Sequence, residues 1–228
     1  MTDASQAQPR GRVLARIAAA CVDRLPIDDV TVLLSDGRQQ SGPAYATTAG
    51  VASLEETAFT TGDGPSVDAL RLGVPVLVPD LRTSARAAAW MGWLTAALDE
   101  QIRAVHAFPI QAGAITAGVL TMYARQPLAL DDAQLRVALR LADEAFLGLL
   151  DVMSGVLETG DDDRGRLDGA VLRADVHRAA GMVTVQTGLR IDEALVRLRA
   201  HAYAVNRPIS EIAADVIAGR RRFNPDRV

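Results

Sequence analysis

The chain has 228 residues, 49% of them hydrophobic and 23% charged, enough for one large or two small domains with a real core. Its net charge of −4 is unevenly divided: residues 1–169 carry 14 arginines against 22 acids, and residues 170–228 carry 10 against 6. The basic end is where a nucleic-acid partner is expected, and a single cysteine, Cys21, excludes an intrachain disulfide and a cysteine-rich metal site.

Residues 1–10 are polar and read as disordered, with no apolar core of signal-peptide length, so a cytoplasmic protein is expected. Residues 13–25 predict a helix with Val13, Leu14, Ile17, Ala20, Cys21 and Leu25 inward, which makes Cys21 a small core hydrophobe. A strand is expected within residues 28–35, a turn at Asp36-Gly37, a second strand around 43–48 and a helical patch over 53–60. The run Gly62-Asp63-Gly64-Pro65 cannot be regular structure; Pro65 opens a short helix that Gly73 ends. A strand over 74–78 then leads to Pro79-Asp80-Leu81, and residues 85–101 predict one helix with Trp90 and Trp93 on the same side.

Residues 104–124 are uncharged over a length that would cross a membrane. His106, Pro109, Gln111 and two glycines break the run, and two neighbouring strands, 103–110 and 115–123, explain it better. Asp131-Asp132 start a long helix over 133–157. The segment 159–165, with three acids and two glycines, suits a solvated hinge. The expected division is therefore a domain at 11–157, a linker at 158–166 and a small domain at 167–223.

The last domain reads as three helices. Leu172, Val176, Ala179 and Val183 mark the first, which Gly188 stops. Asp192 and Glu193 place acids in the first turn of the second, whose inner face is Leu195, Leu198, Ala202 and Val205. Pro208 opens the third, with Ile209, Ile212, Ala213, Val216 and Ile217 inward and Gly219 at its end. Helices this short are not stable alone and must pack together. Gly181 is expected to allow a close approach between the first helix and a neighbour.

Two family resemblances follow from these segments. Gly64-Pro65-Ser66, Asp68-Ala69 and Pro75-Val76, Val78-Pro79-Asp80-Leu81 resemble the GAF family, over about residues 10–150. That implies a central antiparallel sheet flanked by helices, a fold used to bind small molecules or to dimerise. Ala179-x-Gly181, Asp192-Glu193-Ala194, Leu198-Arg199, Asn206-Arg207 and Ala213-x-Asp215-Val216 resemble the ANTAR family of RNA-binding antiterminators, over about 167–220. Together they imply an α+β chain: a GAF-like sensor followed by an all-α three-helix ANTAR-like bundle. They also imply a homodimer in which each bundle engages a hairpin loop of nascent RNA. The ANTAR pattern usually reads Gln-Ala-Lys-Gly where this chain has Arg178-Ala179-Ala180-Gly181, so no cation is available at position 180.

Arg178, Gln186, Arg197, His201, Asn206 and Arg207 are expected outside the bundle, with Arg199 at its boundary and Arg220, Arg221 and Arg222 beyond the third helix. These ten are the candidate RNA-binding residues, because arginine bonds phosphate bidentately and stacks on unpaired bases. In the sensor, Tyr45, Trp90, Trp93 and His106 are the candidate ligand pocket for an unidentified small molecule, and ordinary packing is the alternative. Ser66 lacks the context of a nucleophile elbow, Gly62-Asp63-Gly64 lacks the lysine of a phosphate loop, and His106, His177 and His201 share no metal spacing. No enzyme, cofactor or metal is expected. The alternatives are a helix-turn-helix DNA-binding regulator and a protein-interaction module that does not bind nucleic acid.

Overall fold

The computed structural model describes residues 9–35, 40–113, 115–158, 168–205 and 207–224. Five antiparallel strands form one sheet: β1 (Asp29–Ser35), β2 (Gln40–Ala46), β3 (Val76–Val78), β4 (Ala104–Ala112) and β5 (Ile115–Ala124), in the order β2-β1-β5-β4-β3. The uncharged run thus becomes β4 and β5, a hairpin turned at Gly113, where φ is +59°. Among the described residues no helix is long and apolar enough to cross a membrane.

Helices cover both faces of the sheet, so its central strands are apolar on both sides rather than alternating. One layer holds α1 (Pro9–Arg24) and α5 (Asp132–Glu158), packed on Val30, Val32, Phe108, Ile110, Leu120 and Met122. The other holds α2 (Ala49–Thr61), α3 (Pro65–Leu72) and α4 (Met91–Asp99), packed on Leu33, Val105, Ala107, Val119 and Tyr123. Side chains alternate along a strand, so neighbours in sequence enter opposite cores. Cys21 lies fully buried in the first layer, and burial pushes its thiol up to about 12, as a core hydrophobe requires. Beyond β3, the Asp80 carboxylate accepts two hydrogen bonds from Arg103 Nη2, each 3.0 Å, and one from the Arg82 amide. Those bonds tie the Pro79-Asp80-Leu81 segment to β4.

Three helices follow: α6 (Asp168–Thr187), α7 (Ile191–Ala204) and α8 (Ile209–Ile217). Val176, Ala179 and Val183, then Leu195, Leu198 and Ala202, then Ile209, Ile212, Ala213 and Val216 fill their common core. Val205, expected inside, is 42% exposed. Glu193 accepts a hydrogen bond from the Arg190 amide at 2.9 Å, closing the start of α7, and Gly188 and Gly219 take the left-handed conformation at helix ends. The bundle is not freestanding. Phe59 of α2 belongs to its core, α7 packs on α2, and α6 lies along β2, an edge strand of the sheet. The linker expected at 158–166 lies outside the described residues apart from Glu158, which ends α5, and the disordered start expected at 1–10 lies outside them up to residue 8; Pro9 and Arg10 already belong to α1.

Two further expectations are corrected. The single helix over 85–101 is broken into a 3₁₀ turn, Ala87–Ala89, and α4, with Trp90 between them at φ −97° and ψ 56°. A buried hydrogen bond from Trp90 Nε1 to Asp68 (3.3 Å) and an edge contact with Trp93 (5.7 Å between rings) outweigh the helix propensity of the alanines. Gly181 makes no close approach, since a Cβ placed there meets nothing within 4 Å. Gly181→Ala should therefore stabilise the chain by up to about 1 kcal/mol through helix propensity, read from the denaturation midpoint.

His106 is 1% exposed, and its Nε2 bonds the Leu128 carbonyl at 3.1 Å while Nδ1 has no partner among the described residues. Burial holds its pKa down to about 4, against 6.5 for a free imidazole. The folded state therefore resists a proton that the unfolded state takes up, and stability falls as pH drops from 6.5 towards 4. His106→Asn should flatten that pH dependence by about 2 kcal/mol, measured as unfolding free energy at pH 7 and pH 4.5.

Candidate functional site

The four sensor residues expected to share a pocket do not converge. Trp90 and Trp93 lie in the α2–α4 layer, whereas His106 faces the α1–α5 side and Tyr45 packs against that same core. The reason is strand parity: His106 sits between Val105 and Ala107, which face α2–α4, and Tyr45 is paired with Val32.

The α2–α4 layer instead encloses a polar cluster around Glu55, which is 0% exposed. Its carboxylate accepts hydrogen bonds from Thr31 Oγ1 (2.8 Å), Tyr123 Oη (2.6 Å) and Ser66 Oγ (2.7 Å). Four elements supply these groups: β1, β5, α2 and α3. Thr31 is paired with Thr121 across the β1–β5 ladder, and Tyr123 follows on the same face of β5. Burial, and then the charge of Glu55, push the Tyr123 phenol well above its usual value, so it stays a proton donor. Beside the cluster, Asp68 accepts from Trp90 Nε1 and pairs with Arg71 and Arg86. Thr121 Oγ1 and Trp93 Nε1 are buried without a hydrogen-bond partner of good geometry among the described residues. A buried indole N–H is a donor and a buried hydroxyl can take either role, so each would bond a polar group brought into this layer. Among the described residues no group of three or more His, Cys, Asp or Glu is placed to hold a metal ion.

Sequence reasoning passed over Glu55, although a signal was present. It lies four residues after Val51 and three before Ala58, on the apolar stripe of α2, where a carboxylate is costly unless bonded.

On the bundle, four of the ten expected RNA-binding residues meet around Phe223. Arg197 and Arg221 place guanidinium carbons 5.9 and 5.7 Å from its ring centre, and His201 meets its edge at 5.6 Å. Gln186 Oε1 accepts from the Phe223 amide at 2.9 Å, fixing the C-terminal segment against α6. Arg221 Nη2 lies 3.2 Å from His201 Nδ1, so the imidazole accepts there; its pKa is lowered by desolvation and then by Arg221 and Arg207. Phe223 was not among the expected residues. Its position six beyond α8, past three arginines, gave no helical period to read.

The other residues are placed differently. Arg207 pairs with Glu211 and Asp215, and Arg220 with Asp215, in a separate ion network. Arg178 pairs with Asp175 one turn earlier on α6, and Arg222 is exposed. Asn206 lies outside the described residues. Ala180 is fully buried in the bundle core, so that position does not face solvent in this chain. Arg199 turns away from the Phe223 cluster and hydrogen-bonds the carbonyl of Phe59 at the end of α2, 3.3 Å away.

Comparison with known proteins agrees with the sheet and its two helical layers. The GAF domain model matches residues 7–149, more than half of the chain. Among solved structures, a domain of a protein described as a two-component sensor histidine kinase, from Sinorhizobium meliloti 1021, aligns with TM-score 0.50 and 16% identity, covering 67% of this chain and 99% of that one. The GAF domain region of a protein described as a membrane protein, from Geobacter sulfurreducens PCA, aligns with TM-score 0.50 and 12% identity, covering 63% and 93%. At these identities the likeness is one of fold. No curated protein matches the chain. With five antiparallel strands between α1–α5 and α2–α4, and a family model matching residues 7–149 across them, the chain belongs to the GAF domain family.

Proposed function

We propose that this chain is a non-catalytic cytoplasmic regulator in which the GAF domain senses a signal and the α6–α8 bundle binds hairpin loops of nascent RNA, as ANTAR antiterminators do. The observation that carries the reading is the gathering of Gln186, Arg197, His201 and Arg221 about Phe223, on the net-positive part of the chain. Two arginines beside an imidazole and an amide form a compact patch suited to phosphate and to the edges of splayed bases. A bound hairpin would be kept from rearranging into a competing terminator. A homodimer would present two such patches to paired loops. In the sensor, Trp93 and Thr121 would supply the polar contacts to a small-molecule signal.

Position ranks the arginines: Arg197 and Arg221 stand over the Phe223 ring, whereas Arg207 and Arg220 pair with Asp215 in a separate network. Fluorescence anisotropy with a loop-bearing RNA should therefore show Arg197→Ala and Arg221→Ala each weakening binding by roughly tenfold, and Arg207→Ala by less. The loss should be steeper at low salt, because each phosphate contact releases a counterion. Equal affinity for a duplex DNA control, or no loss from either patch arginine, would overturn the RNA reading.

A further inference from the structure

Helix α2 belongs to two cores at once. Within one helical turn, Glu55 reaches the buried hydroxyls of the sensor layer while Phe59 enters the core of the α6–α8 bundle. Glu56, next to Glu55, accepts a hydrogen bond from Ser210 of α8 at 3.4 Å. At the carboxyl end of α2, Gly62 takes the left-handed conformation (φ +74°), and the Arg199 guanidinium lies directly over it. A Cβ on Gly62 would come within 3.2 Å of Arg199 Cζ. The Arg199 Nε–H then reaches the Phe59 carbonyl. This is a cation on the negative end of a helix, supplied by the other part of the chain and half-buried there.

We infer that α2 is the element through which the sensor core and the bundle communicate, with Glu55 at one end of the link and Arg199 as the clasp at the other. The hydroxyls on Glu55 fix the height and rotation of α2 against β1, β5 and α3. Those same degrees of freedom set where Phe59, Glu56 and the terminal carbonyls of α2 meet α7 and α8. Any event that reorganises the Glu55 cluster must therefore shift or loosen the seat of the bundle. Arg199 and Arg197 divide α7 between this internal contact and the outer patch, so the route ends two residues from the Phe223 cluster. Its biological meaning rests on the bundle being the output end, but the link itself needs no nucleic acid to be measured.

The test is hydrogen–deuterium exchange on the full chain, comparing α7 with α5. Helix α5 packs on the opposite face of the sheet and serves as the internal control. Glu55→Gln replaces one acceptor oxygen by a donor amide, and Tyr123→Phe removes one hydroxyl with little change in shape. Tyr123→Phe carries the test alone should the glutamine variant fail to fold by circular dichroism. Exchange in α7 should rise roughly fivefold or more in either variant, with α5 unchanged. Arg199→Met should raise exchange in α7 and at Phe59–Gly62 while leaving α5 unchanged. An α7 that exchanges as in the parent in the folded variants, or an α5 that rises in step with α7, would overturn the inference. Failure of RNA binding alone would leave it standing.

Discussion

Glu55 is a carboxylate withdrawn from water and held by three hydroxyls from two strands and a neighbouring helix. Taking a charge into a protein interior is costly unless its lone pairs are answered, and leaving one buried partner unmet costs about 1–3 kcal/mol. The arrangement therefore tolerates little sliding between β1, β5, α2 and α3. Apolar packing alone would allow small shifts in the position of α2, since Val51, Leu54 and Ala58 make undirected contacts. Directional bonds to Glu55 remove that freedom. The placement of everything that leans on α2, including Phe59 and the bundle around it, follows from this one carboxylate.

Helix α7 shows how a short segment can meet two environments without compromising either. Leu195, Leu198 and Ala202 face the bundle core, Arg199 caps α2 on one flank, and Arg197 and His201 lie one turn apart on the other. Alternate arginines thus have opposite duties. Burial lowers the pKa of Arg199, while Arg197 also donates to the Asn224 carbonyl at the surface. Treating all ten candidate residues as one positive face would miss that division.

Much of the fold was legible from the sequence because it is written in local periods. The hairpin of β4 and β5, the short helix from Pro65 to Gly73 and the inward faces of α6 to α8 all follow from spacing and from glycine and proline punctuation. What was not legible depends on partners distant in sequence. Trp90 interrupts a helix because Asp68, twenty-two residues earlier, accepts its indole proton. Arg199 looks like a surface cation until α2, far upstream, is placed beneath it. Strand parity alone would have separated His106 from the tryptophans, and the stripe of α2 would have exposed Glu55. Phe223 carried no local signal, since its role depends on the chain folding back over α6 and α7.

The two tryptophans, the only ones in the chain, meet edge to face at the carboxyl end of α2, with Trp93 lying against Gly64. The bundle has none. The intrinsic tryptophan emission of this protein therefore originates from a single spot in the sensor layer, a short distance from the clasp on α2. Changes in its wavelength or quenching report on that joint, while the Phe223 side of the bundle contributes no tryptophan signal.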